Sequence, residues 1–525
     1  MSGKKNYIII IVVAVIITMG AGIFVYITLS DQGDNILHTE DTPPTSDPDY
    51  DNSDSETTTP QDTQEQTTNE ESSPTDENEY EDVLPVFTSG PIRWHTYPTW
   101  AFDQVFNFHE GMAGVEYFEE SGDWHSLHIL GYMNIQGEII IPVDHTHYPM
   151  HYVYRGAPPF TEERVAIMCN DRGGIGVYDL SGNLVAPIQF EWAWAYSDGL
   201  MAVRQGGWVQ MGDDWEDTSR WGFIDRYGNI AIPLEFEQAG DFSEGLAPVM
   251  RDGYWGFINT SGEIVIPFVI EQAHDDGMGF IIYPRFSDGL VAISTGRIEE
   301  NEYGEWVNNV RWGYMDQEGN MAIPFWYTSA GRFINNRAVV ALGGWGVEEH
   351  EEWGTHQRFG VIDREGNIIL SFEYSWVRLN EYDIIIAALL EEWDHITAYD
   401  RNGNQIVQQG RFGSINEASE GLSSVREVGS WGDTSWGFID INGYEAIPFL
   451  FDEVRDFSQG FAAVSIGGWD TAPDGSNINN AKWGFVDTEG NIVVPMVFCD
   501  VRDFSEGLAW VRMGDYWGLL QVVEG

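Results

Sequence analysis

Positive charge is scarce in this 525-residue chain: 25 Lys and Arg stand against 84 Asp and Glu, for a formal net charge of −59. A field of that sign repels phosphate backbones and anionic lipid headgroups, which argues against nucleic acid as a partner. Cysteine is scarcer still. Cys169 and Cys499 are the only two; they are too few for a disulfide scaffold, and being far apart they are not expected to pair. The chain also lacks a serine-centred elbow, a zinc helix and a phosphate-cradling glycine loop. No cofactor is therefore implied, and no catalytic constellation stands out.

Apolar runs long enough to cross a bilayer are equally rare, with one exception. Tyr7 to Leu29 is an uncharged stretch of 23 residues, and a spanning helix needs about 20. Lys4 and Lys5 are the only basic residues before Arg93, which places the tip inside the cell and the bulk outside. The run exceeds the roughly 7–15 residues of a cleaved signal core. Residues 1–6 are thus read as a cytoplasmic tip and 7–29 as an uncleaved transmembrane helix. Residues 30–82 are read as a disordered Ser/Thr/Pro-rich stalk. Between 31 and 82 the chain holds 18 carboxylates and no Lys or Arg, so it cannot build a core and self-repulsion extends it.

From residue 83 to 525 the chain repeats itself. Trp255-Gly256-Phe257-Ile258-Asn259-Thr260-Ser261-Gly262-Glu263-Ile264-Val265-Ile266-Pro267 is the clearest copy. In nine copies a first Gly, or its substitute, precedes a second by six residues; the first positions are Gly131, Gly176, Gly222, Gly256, Gly313, Gly360, Thr397, Gly437 and Gly484. Pro follows eleven residues after the first position except at Ser371 and Gln408, and a tenth copy at Trp517-Gly518 stops halfway. A second phrase precedes each copy, as in Phe242-Ser243-Glu244-Gly245-Leu246-Ala247-Pro248-Val249.

Repetition at 34 to 57 residues marks units that bury their apolar faces only against neighbours. The period within them is two, which predicts strands over Leu246–Val249, Trp255–Asn259 and Glu263–Ile266, with a further short one before Phe242. Ile264 to Ile266 are apolar on both faces, so each sheet is expected to be covered on both sides. The second Gly suits a hairpin position of positive φ. The first suits close approach of a backbone or ring, and the Pro a strand end or an outer edge. The Trp residues of the Trp-Gly pairs are accordingly assigned to the core.

These residues resemble the WG-repeat, or KWG-repeat, family of bacterial proteins over roughly residues 100 to 525. The resemblance implies a β-rich repeat domain and supplies no functional residues. The expected fold is all-β, with about ten short antiparallel sheets in a propeller-like ring, and an open β-solenoid or superhelix is the alternative. Val83-Leu84-Pro85-Val86-Phe87 is expected to supply the strand missing from the last unit, so that no edge is left unpaired.

Variation concentrates between the Leu-Ala-x-Val strand and the Trp-Gly strand. Val249 and Trp255 are six apart, whereas Val203 and Trp221, or Ile293 and Trp312, are eighteen or nineteen apart. Insertions at one repeat position project from one face, and that face is the candidate binding surface. Its aromatics, Trp208, Trp215, Trp306, Trp345, Trp353 and Trp469, can stack on sugar rings or anchor a protein; equally, they can clamp the hairpins together. His145, His147 and His151, near Asp144, share one side of an extended segment and form a possible metal set, but loop histidines of this kind are more often unliganded. The expected function is a membrane-anchored, extracytoplasmic binding or scaffolding domain, not an enzyme, that engages a protein or a cell-wall polysaccharide. The alternative is a hydrolase using carboxylate pairs.

Overall fold

The computed structural model describes residues 90–523 with Pro85 and Phe87, apart from 121–125, 148–156, 170–172, 212–213, 272–282, 297, 301–305, 344–356, 390–395, 430–434 and 472–476. The anchor expected at 7–29 and the stalk expected at 30–82 lie outside the described residues. Every helix or strand element among the described residues is a β-strand, and the pairings are antiparallel. No helix there is long and apolar enough to cross a membrane.

The fourth sheet shows the plan of the unit. Its strands are Gln238–Ala239, Leu246–Arg251, Tyr254–Asn259 and Ile264–Glu271, hydrogen-bonded in chain order. The predicted strands are all present. Trp255, Phe257 and Ile258 are buried, so the third strand is covered on both faces. The fourth strand differs from expectation: Ile264 and Val265 are 51% and 39% exposed, while Ile266 and Ile270 are buried. The pairing shifts register twice: Ile258 pairs with Ile264 and Phe257 with Ile266, so two steps of the outer strand stand against one, and a larger bulge follows. Phe257 pairs with Ile266 and Trp255 with Ile270, so four steps of the outer strand span two of its neighbour. An extra loop of backbone between them turns Pro267 and Val269 outward.

The bulge explains the first Gly. A Cβ on Gly256 would lie 2.7 Å from the Ile266 carbonyl oxygen and 3.1 Å from the Phe268 ring. Pro267 sits within this edge strand instead of ending it, where its missing N–H costs no ladder bond. The second Gly, Gly262, has φ +81° and closes a turn in which Asn259 Oδ1 accepts from the N–H groups of Ser261 and Glu263.

Ten such units follow one another among the described residues. The second has three strands, Arg164–Cys169, Gly174–Asp179 and Leu184–Phe190. The sixth and seventh share the long strand Ile368–Leu379 within one seven-stranded sheet. At the seventh, Thr397 stands at the first Gly position, and its hydroxyl donates to the Val407 carbonyl at 2.8 Å. The outer strand there is only Gln405–Val407; its pairing shifts register between Ala398 and Tyr399 and ends before Thr397.

In the tenth unit the vacant outer position is filled from the other end of the chain, by Ile92–Trp100. The donor is therefore not the Val83–Phe87 segment that was expected, since Pro85 and Phe87 lie in no strand. Ile92–Trp100 reproduces the bulge: Leu519 pairs with Thr96 and Trp517 with Trp100, and a Cβ on Gly518 would lie 2.7 Å from the Pro98 nitrogen.

Neighbouring sheets pack through a recurring aromatic pair. The ring on the third strand of one unit meets the phrase aromatic of the next in Phe223–Phe242, Phe257–Phe286, Tyr314–Phe333, Phe438–Phe457 and Phe485–Phe504, with centroids 4.7 to 4.9 Å apart. Where a Ser follows the phrase aromatic it donates to the backbone carbonyl of the next phrase aromatic, as in Ser243 to Phe286 at 2.8 Å and Ser458 to Phe504 at 2.6 Å. Ser505 of the tenth unit donates in the same way to Phe108 of the first. Around that junction Phe102, Val105 and Phe108 share one core with Trp510, Trp517 and Leu519.

Gly256→Ala forces the bulge away from the third strand, and overpacking of this kind costs about 1–3 kcal/mol. Gly468→Ala, where a Cβ meets nothing within 4 Å, is expected to be close to neutral. Urea midpoints of the two variants check the contrast.

Candidate functional site

Antiparallel order divides the ends of every unit. The turns joining the first to the second strand and the third to the fourth lie at one end, and the connection from the second to the third lies at the other. The long insertions of the third, fifth and ninth units occupy that second end. They form two-stranded ribbons: Trp208–Met211 with Asp214–Asp217 on the third sheet, Ile298–Glu300 with Trp306–Asn308 on the fifth, and Trp469–Thr471 with Asn477–Asn479 on the ninth. The insertions after Gly206-Gly207 and Gly467-Gly468 thus form hairpins, while the insertion at 344–356 lies outside the described residues.

Gly206 and Gly207, with φ of 136° and 138°, turn the chain into the first ribbon. Arg204 braces its base by donating to Ser219 Oγ at 2.6 Å and pairing with Asp217 at 2.7 Å and Glu191 at 3.8 Å. Trp208 is paired with Asp217 and Trp215 with Gln210, so these two share one ribbon. Trp306, opposite Glu300, and Trp469, opposite Asn479, stand on ribbons of other sheets. Trp345 and Trp353 lie outside the described residues. His145 and His147 fall in the strand Ile139–His147, opposite Leu130 and His128, and His151 lies outside the described residues. Among the described residues no three His, Cys, Asp or Glu gather as a metal site, and Cys169 and Cys499 form no disulfide.

The opposite end carries a pattern that the sequence reading missed. The residue before Gly in the Ser-Glu-Gly turns has positive φ, as at Asp198, Glu244, Glu420 and Glu506. Its side chain accepts a hydrogen bond from the corresponding turn of the next unit: Asp198 from Gly245 at 2.9 Å, Glu244 from Gly289 at 3.0 Å and Glu420 from Gly460 at 2.8 Å. Glu506 accepts from Gly111 at 2.7 Å, linking the tenth unit to the first. The third-to-fourth turns are capped within themselves, as where Asp225 Oδ1 accepts from Tyr227 and Asn229. Much of the acidity at this end is thus engaged in hydrogen bonds.

A second missed column precedes the phrase aromatic. Asn107, Asp241 and Asp503 each hold a buried Oδ1 with no hydrogen-bond partner, while Asp456 accepts from Ser424 Oγ at 2.9 Å. Burial raises the Asp241 carboxyl to about 6 against the opposing pull of Arg285, and it also raises Asp456 and Asp503. Polar letters before Phe108, Phe242, Phe457 and Phe504 were the available signal.

The regular spacing of Trp-Gly units on this scaffold is matched by a known pattern. Residues 175–207, 221–255, 255–283, 312–344, 359–390, 436–468 and 483–517 fit the profile described as the WG containing repeat. The chain belongs to the WG-repeat family. The units at Gly131 and Thr397 fall outside the matched segments of this WG-repeat protein, yet each forms strands. A search of curated proteins finds no match. Among solved structures it is similar to prolyl oligopeptidase B from Galerina marginata, at 10% identity and a TM-score of 0.29 over 76% of this chain and 56% of that one. A puromycin hydrolase matches at 10% and 0.29, over 75% and 62%. PorZ, a surface component of the type-IX secretion system of Porphyromonas gingivalis, matches at 10% and 0.19, over 80% and 68%. The chain thus spans less than two thirds of the first two, and scores this low bear on neither fold nor activity.

Two classes of carboxylate give opposite pH dependence. At Asp225 slight burial raises the pKa, but the bonds from Asn229 and Tyr227 outweigh it and the net shift is downward; Asp179, Asp316 and Asp400 follow suit. Their stabilisation is present above the unfolded value near 4 and is lost as pH falls through the folded one. Asp241 runs the other way: its charge costs stability above about 6, and the cost is gone below about 4. Asp241→Asn is therefore expected to be more stable than the parent at pH 7, by about 1–2 kcal/mol, and equal to it at pH 4, as read from urea unfolding at both.

Proposed function

We propose that the WG-repeat domain is a non-enzymatic binding or scaffolding module held outside the membrane by the segment at 7–29, and that it engages a protein or cell-wall glycan through the ribbon end. The observation carrying this reading is the division between the two ends. One is uniform and engaged in hydrogen bonds between successive turns; the other varies in length and composition from unit to unit. A surface free to vary without loosening the fold is where recognition is built on a repeat scaffold. The carboxylates of the uniform end accept backbone N–H bonds, which suits a structural role better than paired acid and base.

In the same reading the ten units close as a propeller-like ring. The strand Ile92–Trp100 on the tenth sheet, and the Ser505–Phe108 and Glu506–Gly111 links, support closure. Ten units exceed the roughly four to eight of usual propellers.

Replacing Trp208, Trp345 and Trp469 together by Ala is expected to weaken capture of cell-wall polymers or surface proteins at least tenfold, with the melting temperature unchanged. Retained capture with a lowered melting temperature would make those residues clamps. Deleting residues 92–100 is expected to lower a single melting transition of the whole domain. A separate early phase, with the remainder unmoved, would mean an open stack.

A further inference from the structure

Where the third, fourth and fifth units meet, a cavity of about 200 Å³ is lined by Trp194, Gly240, Asp241, Pro248, Tyr283 and Arg285, together with Pro284. Its aromatic wall is built. Trp194 donates from Nε1 to the Ala239 carbonyl at 3.2 Å, Tyr283 donates to Gln238 Oε1 at 3.3 Å, and the two rings meet edge to face at 5.5 Å. Trp221 stacks behind Trp194 at 6.2 Å, and Trp255 meets Tyr283 at 5.6 Å. The rings are therefore fixed before anything enters. A Cβ on Gly240 would lie 2.9 Å from Pro248 and 3.1 Å from Tyr283, so the backbone beside Asp241 is also held.

Two opposite charges face this space without neutralising each other. Asp241 Oδ1 is buried with no hydrogen-bond partner, and a buried acceptor left so costs about 1–3 kcal/mol. Arg285 is exposed and close enough to act on Asp241 electrostatically, yet among the described residues the two form no ion pair. A ligand that fits must offer a donor to Asp241 and an acceptor to Arg285, with an apolar portion between Trp194 and Tyr283. The space is smaller than the roughly 300–1,000 Å³ of drug-sized sites and equals the liquid volume of about seven waters.

We infer that this cavity binds a small zwitterion of the free α-amino-acid class, its ammonium on Asp241, its carboxylate on Arg285 and its side chain against Trp194 and Tyr283. A peptide terminus brings only one of the two charges and does not meet both demands. The proposal is independent of recognition at the ribbon end.

Equilibrium dialysis of the full chain against radiolabelled glycine, proline, leucine and phenylalanine tests it, with propylamine and propionate as single-charge probes. At least one amino acid is expected to bind, with each single-charge probe at least tenfold weaker. Asp241→Asn and Arg285→Gln are each expected to weaken the amino acid at least tenfold, Asp241→Asn while melting at or above the parent temperature and Arg285→Gln while remaining folded, somewhat below it, because the buried carboxylate loses its favourable neighbour. Absence of amino-acid binding at millimolar concentration overturns the proposal. So does equal binding of a single-charge probe, or unchanged affinity in both folded variants. Trp469→Ala, on the ribbon of the ninth sheet, is expected to leave the affinity unaltered.

Discussion

The contact between one unit's third-strand ring and the next unit's phrase aromatic governs this fold. An aromatic pair at 4.9 Å, such as Phe257–Phe286, combines burial of two large side chains with favourable edge-to-face geometry. The rings alone fix little about orientation. The seryl bond beside them, Ser243 to the Phe286 carbonyl, ties a side chain of one sheet to the backbone of the next and so sets the rotation between them. The Glu244 to Gly289 bond repeats the constraint a few residues on. Three links from one short phrase explain why that phrase recurs with so little change, and why a single unit would expose rings it cannot cover.

That constraint sorts the rest of each unit by freedom. Near the junction the chain adopts left-handed conformations at non-glycine residues, including Glu244 and Glu420. Such conformations persist when surrounding bonds over-determine them, and the caps between turns supply those bonds. Far from the junction, the link between second and third strands has only to return in register. Val249 and Trp255 are joined by a tight turn, and Val203 and Trp221 through a whole ribbon, yet both sheets keep the same pairing.

The architecture was legible because its signals are local and repeated. The period of two, the hairpin Gly at Gly262 and the crowded Gly at Gly256 each follow from backbone sterics that act within a dozen residues. The bulge was not legible: Ile264, Val265 and Ile266 read as a strand buried on both faces, and only pairing shows two steps of one strand opposed to four of the other. The closing strand was misplaced for a related reason. Ile92–Trp100 is polar and aromatic, unlike Ile264–Ile266, and it fits because an outer edge strand needs few buried side chains. The candidate surface was legible as insertions, since length differences survive in sequence. The column of Asn107, Asp241 and Asp503 was overlooked because acidic and amide residues are common throughout this chain, so the recurring polar letter before the phrase aromatic does not stand out until its burial is seen.

The seventh unit separates what the scaffold requires from what it merely repeats. There Thr397 replaces the first Gly and Gln408 the Pro, and the outer strand shrinks to Gln405–Val407. The turn changes too, with Tyr382 accepting from the Glu420 N–H at 2.6 Å where the third, fourth, eighth and tenth units offer a carboxylate. The second strand nevertheless keeps Ile385, Ile386, Ala387 and Ala388 buried, and the next unit still packs on it, as Ile386 and Ala398 share a core with Ile415 and Val425. The Gly and the bulge opposite it therefore form one dependent set, while the Pro is separable, since the sixth unit keeps Gly360 and its bulge with Ser371 at the Pro position. Gly and bulge serve the outer strand, and both can be lost together as long as the inner strands still meet their neighbours. A Gly256→Ala change in an ordinary unit lacks that escape, because the long outer strand and its bulge remain in place against the new methyl group.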